Sequence, residues 1–286
     1  MDRDIVLGPA AGRTTARTFL DAGVADRAGI LAPLLVLVVG GTIEVLRPVG
    51  VVVLLIGLVA VGRPLRPATL AWAAALPVGI ELAWPIILGR DGALGALCAD
   101  PLTEIVVRRI VQAGLILAVV VLLSRWLGQG PSTLGLTRPD SRAAGAAVAA
   151  GLIVSVGGLY LGPALATPLF GRVGFVAPVA TIVPALAFAV ANGMLEEITY
   201  RGVLMRWLGR LVGIWPALVV QGVVFGLAHA GPEILPAMLP VHITIMAACG
   251  IALGLVTLRT GSLTLAIGVH IGADVALYYG LACRSL

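Results

Sequence analysis

Charged residues are scarce in this chain, and lysine is absent altogether. Only 12% of the 286 residues are charged, all nineteen basic residues are arginine, and aromatic residues make up 5%. In contrast, 59% are hydrophobic and the mean hydropathy is +1.08, well beyond the balance of a soluble domain. The formal charge of +5 forms no basic stripe, so we expect the lipid bilayer rather than a nucleic acid as partner.

Cysteine is equally scarce, and the chain lacks the common metal and nucleophile motifs. Cys98, Cys249 and Cys283 are too dispersed for a metal knuckle or a redox pair, so we interpret them as small apolar fillers. No His-Glu-x-x-His helix of a zinc protease is present. No serine, histidine and aspartate are arranged for nucleophilic catalysis either, because Ser262 stands at a turn.

Long apolar stretches dominate the rest of the sequence. A membrane crossing needs about 20 apolar residues, and suitable stretches run over 28–46, 49–62, 67–89, 105–124, 143–162, 176–197, 214–230, 238–258 and 262–282. The sequence therefore predicts an all-α, polytopic transmembrane helical bundle of eight or nine spans. The short stretch 49–62 follows its predecessor after only Arg47-Pro48, so these two form either a hairpin or a re-entrant pair.

The division of the chain follows its loops and motifs. We expect a polar N-terminal tail (1–26), N-terminal membrane helices of unassigned role (27–130) and a catalytic membrane domain (135–286), with the longest loops at 90–104 and 128–142. With the N-terminus in the cytoplasm, thirteen arginines face inward and six outward, as the positive-inside rule requires. We expect the membrane to be the plasma membrane of a bacterium. Arg206, Trp207 and Arg210 predict an amphipathic turn at the cytoplasmic interface.

Two adjacent acids stand at the end of one apolar run. Glu196 and Glu197 follow Val176 to Val190, where no ionisable residue occurs, and buried acids in a membrane are costly unless they are used. In a helix, Glu197 and Arg201 are four residues apart and can pair along one face, whereas Glu196 points about 100° away. The spacing therefore predicts that Glu197 has a structural role in the ion pair and that Glu196 stays available for chemistry.

All three histidines follow these acids. His229 is about as far beyond the turn at Gly209 to Gly213 as Glu196 is before it, so an antiparallel hairpin places both at a similar depth. His270 and Asp274 are four residues apart and share one helix face. We expect these groups to converge with Glu196 and Glu197, while His242 is interpreted as structural.

Such a cluster fits peptide-bond hydrolysis within the bilayer. Glu196 would act as a general base for water, and His270 with Asp274, or His229, would stabilise the oxyanion. A zinc site made of Glu196, His229 and His270 is the alternative. We prefer metal-free catalysis without a cofactor, because the three groups lie on three different spans.

The motifs resemble those of a known family. Glu196-Glu197-x-x-x-Arg201-Gly202, then Phe225-x-x-x-His229, then His270 with a polar residue four later are similar to the three motifs of the CAAX protease and bacteriocin-processing family of intramembrane glutamic endopeptidases. The resemblance covers roughly 135–282 and leaves the first four spans unmatched.

The resemblance also implies roles for these residues. Glu196 activates water with support from Glu197 and Arg201, His229 holds water or polarises the scissile carbonyl, and His270 with residue 274 stabilises the oxyanion. Asp274 departs from the frequent Asn, and an ionised aspartate cannot donate to an oxyanion, so it must be protonated or act through His270. The implied partner is a membrane-associated peptide or protein.

Two other classes of function stay open. Buried Glu, His and Asp residues also form the proton relays of transporters, although the chain shows no inverted repeat. A protein of the same fold without catalysis could serve as a scaffold, sensor or immunity protein. Glu44 and Glu81, in the unmatched half, have no assigned role.

Overall fold

The computed structural model describes residue 19 and residues 23–62, 66–87, 104–170, 179–231 and 234–279. Within these ranges all regular structure is helical. The α-helices are α1 (Val24–Thr42), α2 (Arg47–Val61), α3 (Pro67–Ile87), α4 (Glu104–Trp126), α5 (Ser141–Phe170), α6 (Ile182–Glu196), α7 (Arg206–Val212), α8 (Ile214–Ala228), α9 (Leu239–Thr260) and α10 (Thr264–Leu277). A π-helix (Glu197–Met205) joins α6 to α7, and short 3-10 turns cover Glu44–Leu46, Pro131–Leu134, Val179–Thr181 and Pro236–Met238.

The lengths of these helices suit a bilayer. Seven helices of the described ranges are long and apolar enough to cross a membrane, and Ile214–Ala228 and Thr264–Leu277 are shorter apolar helices. The predicted polytopic bundle is therefore confirmed, and the chain is an integral membrane protein. The uncertain second span is a helix of its own, since the turn Glu44–Leu46 separates α1 from α2. Most of the predicted tail and of the loop 90–104 lies outside the described residues.

The sixth span is longer than predicted. Instead of ending near residue 197, the helical rod continues from Ile182 to Val212, 31 residues in all. It ends at Gly213, whose φ of +92° lies in the region that favours glycine. Trp207 is completely buried in the core, so its side chain packs against the protein rather than facing lipid headgroups.

Glycines allow the closest helix contacts around the site. A Cβ added to Gly250 of α9 would lie 3.1 Å from the Cα of Gly222 of α8, which agrees with the predicted packing role of Gly250 and Gly254. A Cβ on Gly272 of α10 would lie 2.2 Å from the carbonyl oxygen of Gly151 of α5. Cys249 is exposed, so it does not fill the core, while Cys98 and Cys283 lie outside the described residues.

One apolar core joins the N-terminal helices to the π-helix. Leu54 and Leu76 belong to the same buried cluster as Tyr200, Trp207 and Leu134. The turn that carries Leu134 is fixed to the start of α10, because the amide of Leu263 donates a hydrogen bond of 3.0 Å to the carbonyl of Gly135. The acids at the start of the π-helix are thus held by helices from both halves of the chain.

Candidate active site

The two glutamates lie where α6 passes into the π-helix. Glu196 is the last residue of α6 and Glu197 the first of the π-helix, and both are buried at 5% and 0% exposure. The Nη1 atom of Arg201, also fully buried, lies 3.0 Å from Oε1 of Glu197. The predicted pairing is therefore present, and a π-helix often marks a functional site.

His270 of α10 connects both glutamates. Its Nδ1 lies 2.7 Å from Oε1 of Glu197 and donates a hydrogen bond to that carboxylate. Its Nε2 lies 3.5 Å from Oε2 of Glu196 and 3.7 Å from Oδ2 of Asp274. The bond to Glu197 fixes the ring orientation, so that Nε2 faces the available acid.

His229 approaches Glu196 from the end of α8. Its Nδ1–H donates to the carbonyl of Phe225 at 2.8 Å, which leaves Nε2 3.8 Å from Oε2 of Glu196. The side chain is 30% exposed, compared with 7% for Glu196. The distance agrees with the similar depth predicted for the two residues, and His229 forms the more open edge of the cluster.

Phe225 forms an aromatic wall for the cluster. The guanidinium carbon of Arg201 lies 4.2 Å from the centroid of the Phe225 ring, a cation–π geometry. The ring also packs against His229 with 4.4 Å between centroids and against Tyr200 edge-on at 5.1 Å. The Phe225 ring therefore holds both the guanidinium of Arg201 and the imidazole of His229 in place.

Asn192 is a site residue that the sequence interpretation missed. Its Nδ2 donates a hydrogen bond of 3.0 Å to Oδ2 of Asp274. Its position one helical turn before Glu196, within an apolar run, was the signal that could have revealed it. His242 is buried, which fits its interpretation as structural. The structure thus brings together all six predicted residues and adds Asn192.

The candidate metal ligands Glu196, His229 and His270 do not form a preformed metal site. Among the described residues no group of three His, Cys, Asp or Glu side chains is arranged to hold a metal ion. Both ring nitrogens of His270 already face carboxylates: Nδ1 that of Glu197, and Nε2 those of Glu196 and Asp274.

This geometry defines a membrane-embedded cluster of acids and imidazoles, and a comparison with protein families finds a match for the segment that carries it. Residues 178–276 match the family described as Type II CAAX prenyl endopeptidase Rce1-like. The segment contains all six predicted site residues and Asn192. The match confirms the resemblance to the CAAX protease and bacteriocin-processing family over this segment, and it supports a protease of the CAAX type. No curated protein and no solved structure matches the chain.

Proposed function

We propose that the protein is an intramembrane endopeptidase that cleaves a peptide bond with water activated by Glu196. The observation that carries the proposal is the position of Oε2 of Glu196, 3.5 Å from Nε2 of His270 and 3.8 Å from Nε2 of His229. Glu197 is already engaged by Arg201 and His270. Of the two glutamates, Glu196 is therefore the one whose carboxylate faces both imidazoles, and its Oε2 accepts no hydrogen bond from the described residues.

In the proposed reaction, Glu196 carries one proton from water to the amide nitrogen of the substrate. The carboxylate takes a proton from water as its oxygen attacks the carbonyl carbon, forming a tetrahedral intermediate. The protonated Glu196 then gives this proton to the amide nitrogen as the C–N bond breaks, which releases an amine and a carboxylic acid. The carboxylate is regenerated, so the cycle is balanced without another reactant.

The imidazoles are placed to stabilise the oxyanion. When His270 is cationic, its Nδ1–H donates to Glu197, and its Nε2–H, which lies 3.5 Å from Glu196 and 3.7 Å from Asp274, can donate to a developing negative charge. Oδ2 of Asp274 accepts the amide hydrogen of Asn192 and lies 3.7 Å from Nε2 of His270, which supports a role for Asp274 through His270. His229, at the open edge, would polarise the scissile carbonyl.

We propose that this chemistry uses no metal and no cofactor. The support is that the ring nitrogens of His270 face carboxylates, so that a zinc ion bound by Glu196, His229 and His270 would have to displace these contacts. Cleavage is expected to persist at full rate in the presence of a zinc chelator. A loss of cleavage that added zinc restores would favour the metal site instead.

The substrate proposed for this site is a peptide or protein embedded in the membrane. The name of the matching family refers to prenyl endopeptidases, so a prenylated CAAX peptide is the first probe. The arginine distribution further supports a cytoplasmic N-terminus, and the membrane we propose is the plasma membrane of a bacterium.

Reconstitution tests the proposal directly. Purified protein in lipid nanodiscs is incubated with a farnesylated CAAX peptide, with the same peptide lacking the lipid, and with a single-span membrane peptide, and products are identified by mass spectrometry. Cleavage that is lost in Glu196→Gln with an unchanged unfolding midpoint supports the proposal. Cleavage of equal rate by wild type and Glu196→Gln refutes the role of Glu196.

A further inference from the structure

One arginine of the N-terminal half joins the ends of two helices beside the candidate site. Arg47, the first residue of α2, is 6% exposed and lies outside the segment that matches the family. Its Nε donates a hydrogen bond of 3.1 Å to the carbonyl of Gly40, in the last turn of α1. Its Nη2 donates one of 3.5 Å to the carbonyl of Ala230, just beyond the end of α8. A single guanidinium therefore connects the carboxyl ends of α1 and α8.

The charge of Arg47 suits this position. The last carbonyls of a helix have no partner within the helix and carry partial negative charge, so a cation beside them is favourable. A buried arginine in a membrane protein is costly unless it is used. Arginine can serve two carbonyls at once, because its guanidinium holds several N–H donors in fixed directions. Arg47 is thus a shared cap of two helix ends.

α1 contacts α8 just before His229 as well. A Cβ added to Gly41 of α1 would lie 2.9 Å from the Cβ of Leu227, so the absence of a side chain permits this close approach. Leu227 precedes His229 by two residues, and Ala230 follows it directly. The contacts made by α1 and by Arg47 therefore bracket His229 on both sides along the chain.

His229 stands in the turn of α8 that is held least firmly by the helix itself. Its amide donates to the carbonyl of Gly226, and the amide of Ala230 to that of Leu227, both at 3.2 Å. These bonds span three residues, and such bonds have poorer geometry than those of an α-helix. The imidazole is bound to the same turn through the carbonyl of Phe225 at 2.8 Å. Any shift of this turn therefore moves Nε2 of His229 within the site.

We infer that Arg47 is a positioning residue that holds the end of α8 and thereby places the imidazole of His229 beside the scissile carbonyl. The inference rests on the proposed function, in which His229 polarises that carbonyl. It also assigns a role to α1 and α2, which fix an element of the site from outside the matching segment. Rates are sensitive to such placement, since a displacement of about 1 Å can cost about 100-fold.

Arg47→Met tests the inference in nanodiscs on whichever probe peptide the wild type cleaves. The substitution keeps the apolar stem and removes both hydrogen bonds, and we expect kcat to fall about tenfold with KM changed less than about twofold. In a His229→Asn background, the same substitution should change kcat less than about twofold, because the group that Arg47 positions is then absent. Arg125→Met, at an exposed arginine of α4, is the matched control and should leave kcat unchanged.

A second measurement does not depend on cleavage. The chain has three histidines, so protein labelled with nitrogen-15 histidine gives three sets of imidazole signals, assigned with His229→Asn and His242→Asn. Arg47→Met is expected to move the signals of His229 by more than their line width and to leave those of His270 in place. A role of Arg47 in stability alone would lower the unfolding midpoint without moving the His229 signals.

The outcomes separate this inference from the proposed function. A wild-type kcat in Arg47→Met, an equal loss in both backgrounds, or unmoved His229 signals would overturn the inference, while Glu196→Gln still abolishes cleavage. If no probe peptide is cleaved, the proposed function fails, and the imidazole signals alone decide whether Arg47 positions His229.

A milder variant covers the case in which Arg47→Met is not recovered folded. Arg47→Lys keeps the charge but brings one nitrogen to two carbonyls. A loss in kcat of about threefold that disappears in the His229→Asn background supports the inference. A wild-type kcat, or the same loss in both backgrounds, overturns it.

Discussion

Replacing Arg201 with methionine would test how the buried acid Glu197 is held. Arg201 is 0% exposed and its Nη1 lies 3.0 Å from Glu197, which is also 0% exposed. The guanidinium also stacks over Phe225 at 4.2 Å. Methionine preserves most of the apolar stem, so the substitution removes the charge and leaves Glu197 with His270 as its remaining partner.

The expected loss of stability follows from the burial of both Arg201 and Glu197. Removing one partner of a buried ion pair destabilises a protein by about 3–5 kcal/mol, because the other charge is left uncompensated. For a chain of this size each kcal/mol corresponds to about 2–4 °C in the unfolding midpoint, so a fall of about 6–20 °C is expected. Combining Glu197→Gln with Arg201→Met removes both charges, and we expect it to recover at least half of the loss.

Thermal unfolding in one detergent, followed by tryptophan fluorescence and by loss of the monodisperse chromatographic peak, measures these midpoints. Arg125→Met, at an exposed arginine in the last turn of α4, is the matched control and should change the midpoint by less than about 2 °C. The reasoning would be refuted if Arg201→Met lowered the midpoint no more than Arg125→Met, or if the double variant were as unstable as the single one.

Three further outcomes follow from the site and the packing. Asn192→Leu deprives the carboxylate of Asp274 of its amide donor and should cost about 1–3 kcal/mol; an unchanged midpoint in thermal unfolding would contradict this contact. Gly250→Ala, which meets α8, should cost about 1–3 kcal/mol, whereas Gly145→Ala, with open space around its added Cβ, should be neutral or stabilising; equal midpoints would argue against the close helix contact. His229→Asn should lower kcat about 100-fold on the cleaved probe peptide while the midpoint stays within about 2 °C, because the ring is partly exposed and at the edge; a large loss of stability with normal kcat would assign it a structural role.

The convergence of the site could be predicted because helix geometry turns spacing into position. Equal distances from the turn at Gly213 place Glu196 and His229 at one depth, and their side chains are 3.8 Å apart. An interval of four residues places His270 and Asp274 on one face, and the same interval pairs Glu197 with Arg201. These inferences need only the rise and the period of a helix.

Other features had no such local signal. The π-helix could not be predicted because every residue of the segment Glu197–Met205 is buried, so its polar residues do not mark a solvent-facing side whose period could reveal a wider turn. Asn192 was visible in the sequence, but its partner Asp274 is 82 residues away. The burial of Trp207 had no signal in the sequence, because tryptophan beside arginine is typical of a membrane interface as well as of a core.

The π-helix also constrains the length of the chain at this point. The same nine residues set both the wider turn and the phase at which the following helix begins, so one residue more or fewer between Glu197 and Met205 would change the orientation of everything that follows. Trp207 would then turn out of the core that it fills, while the two glutamates before it kept their places. We therefore expect single-residue insertions and deletions to be tolerated between helices, as after Gly128, and rejected within these nine residues.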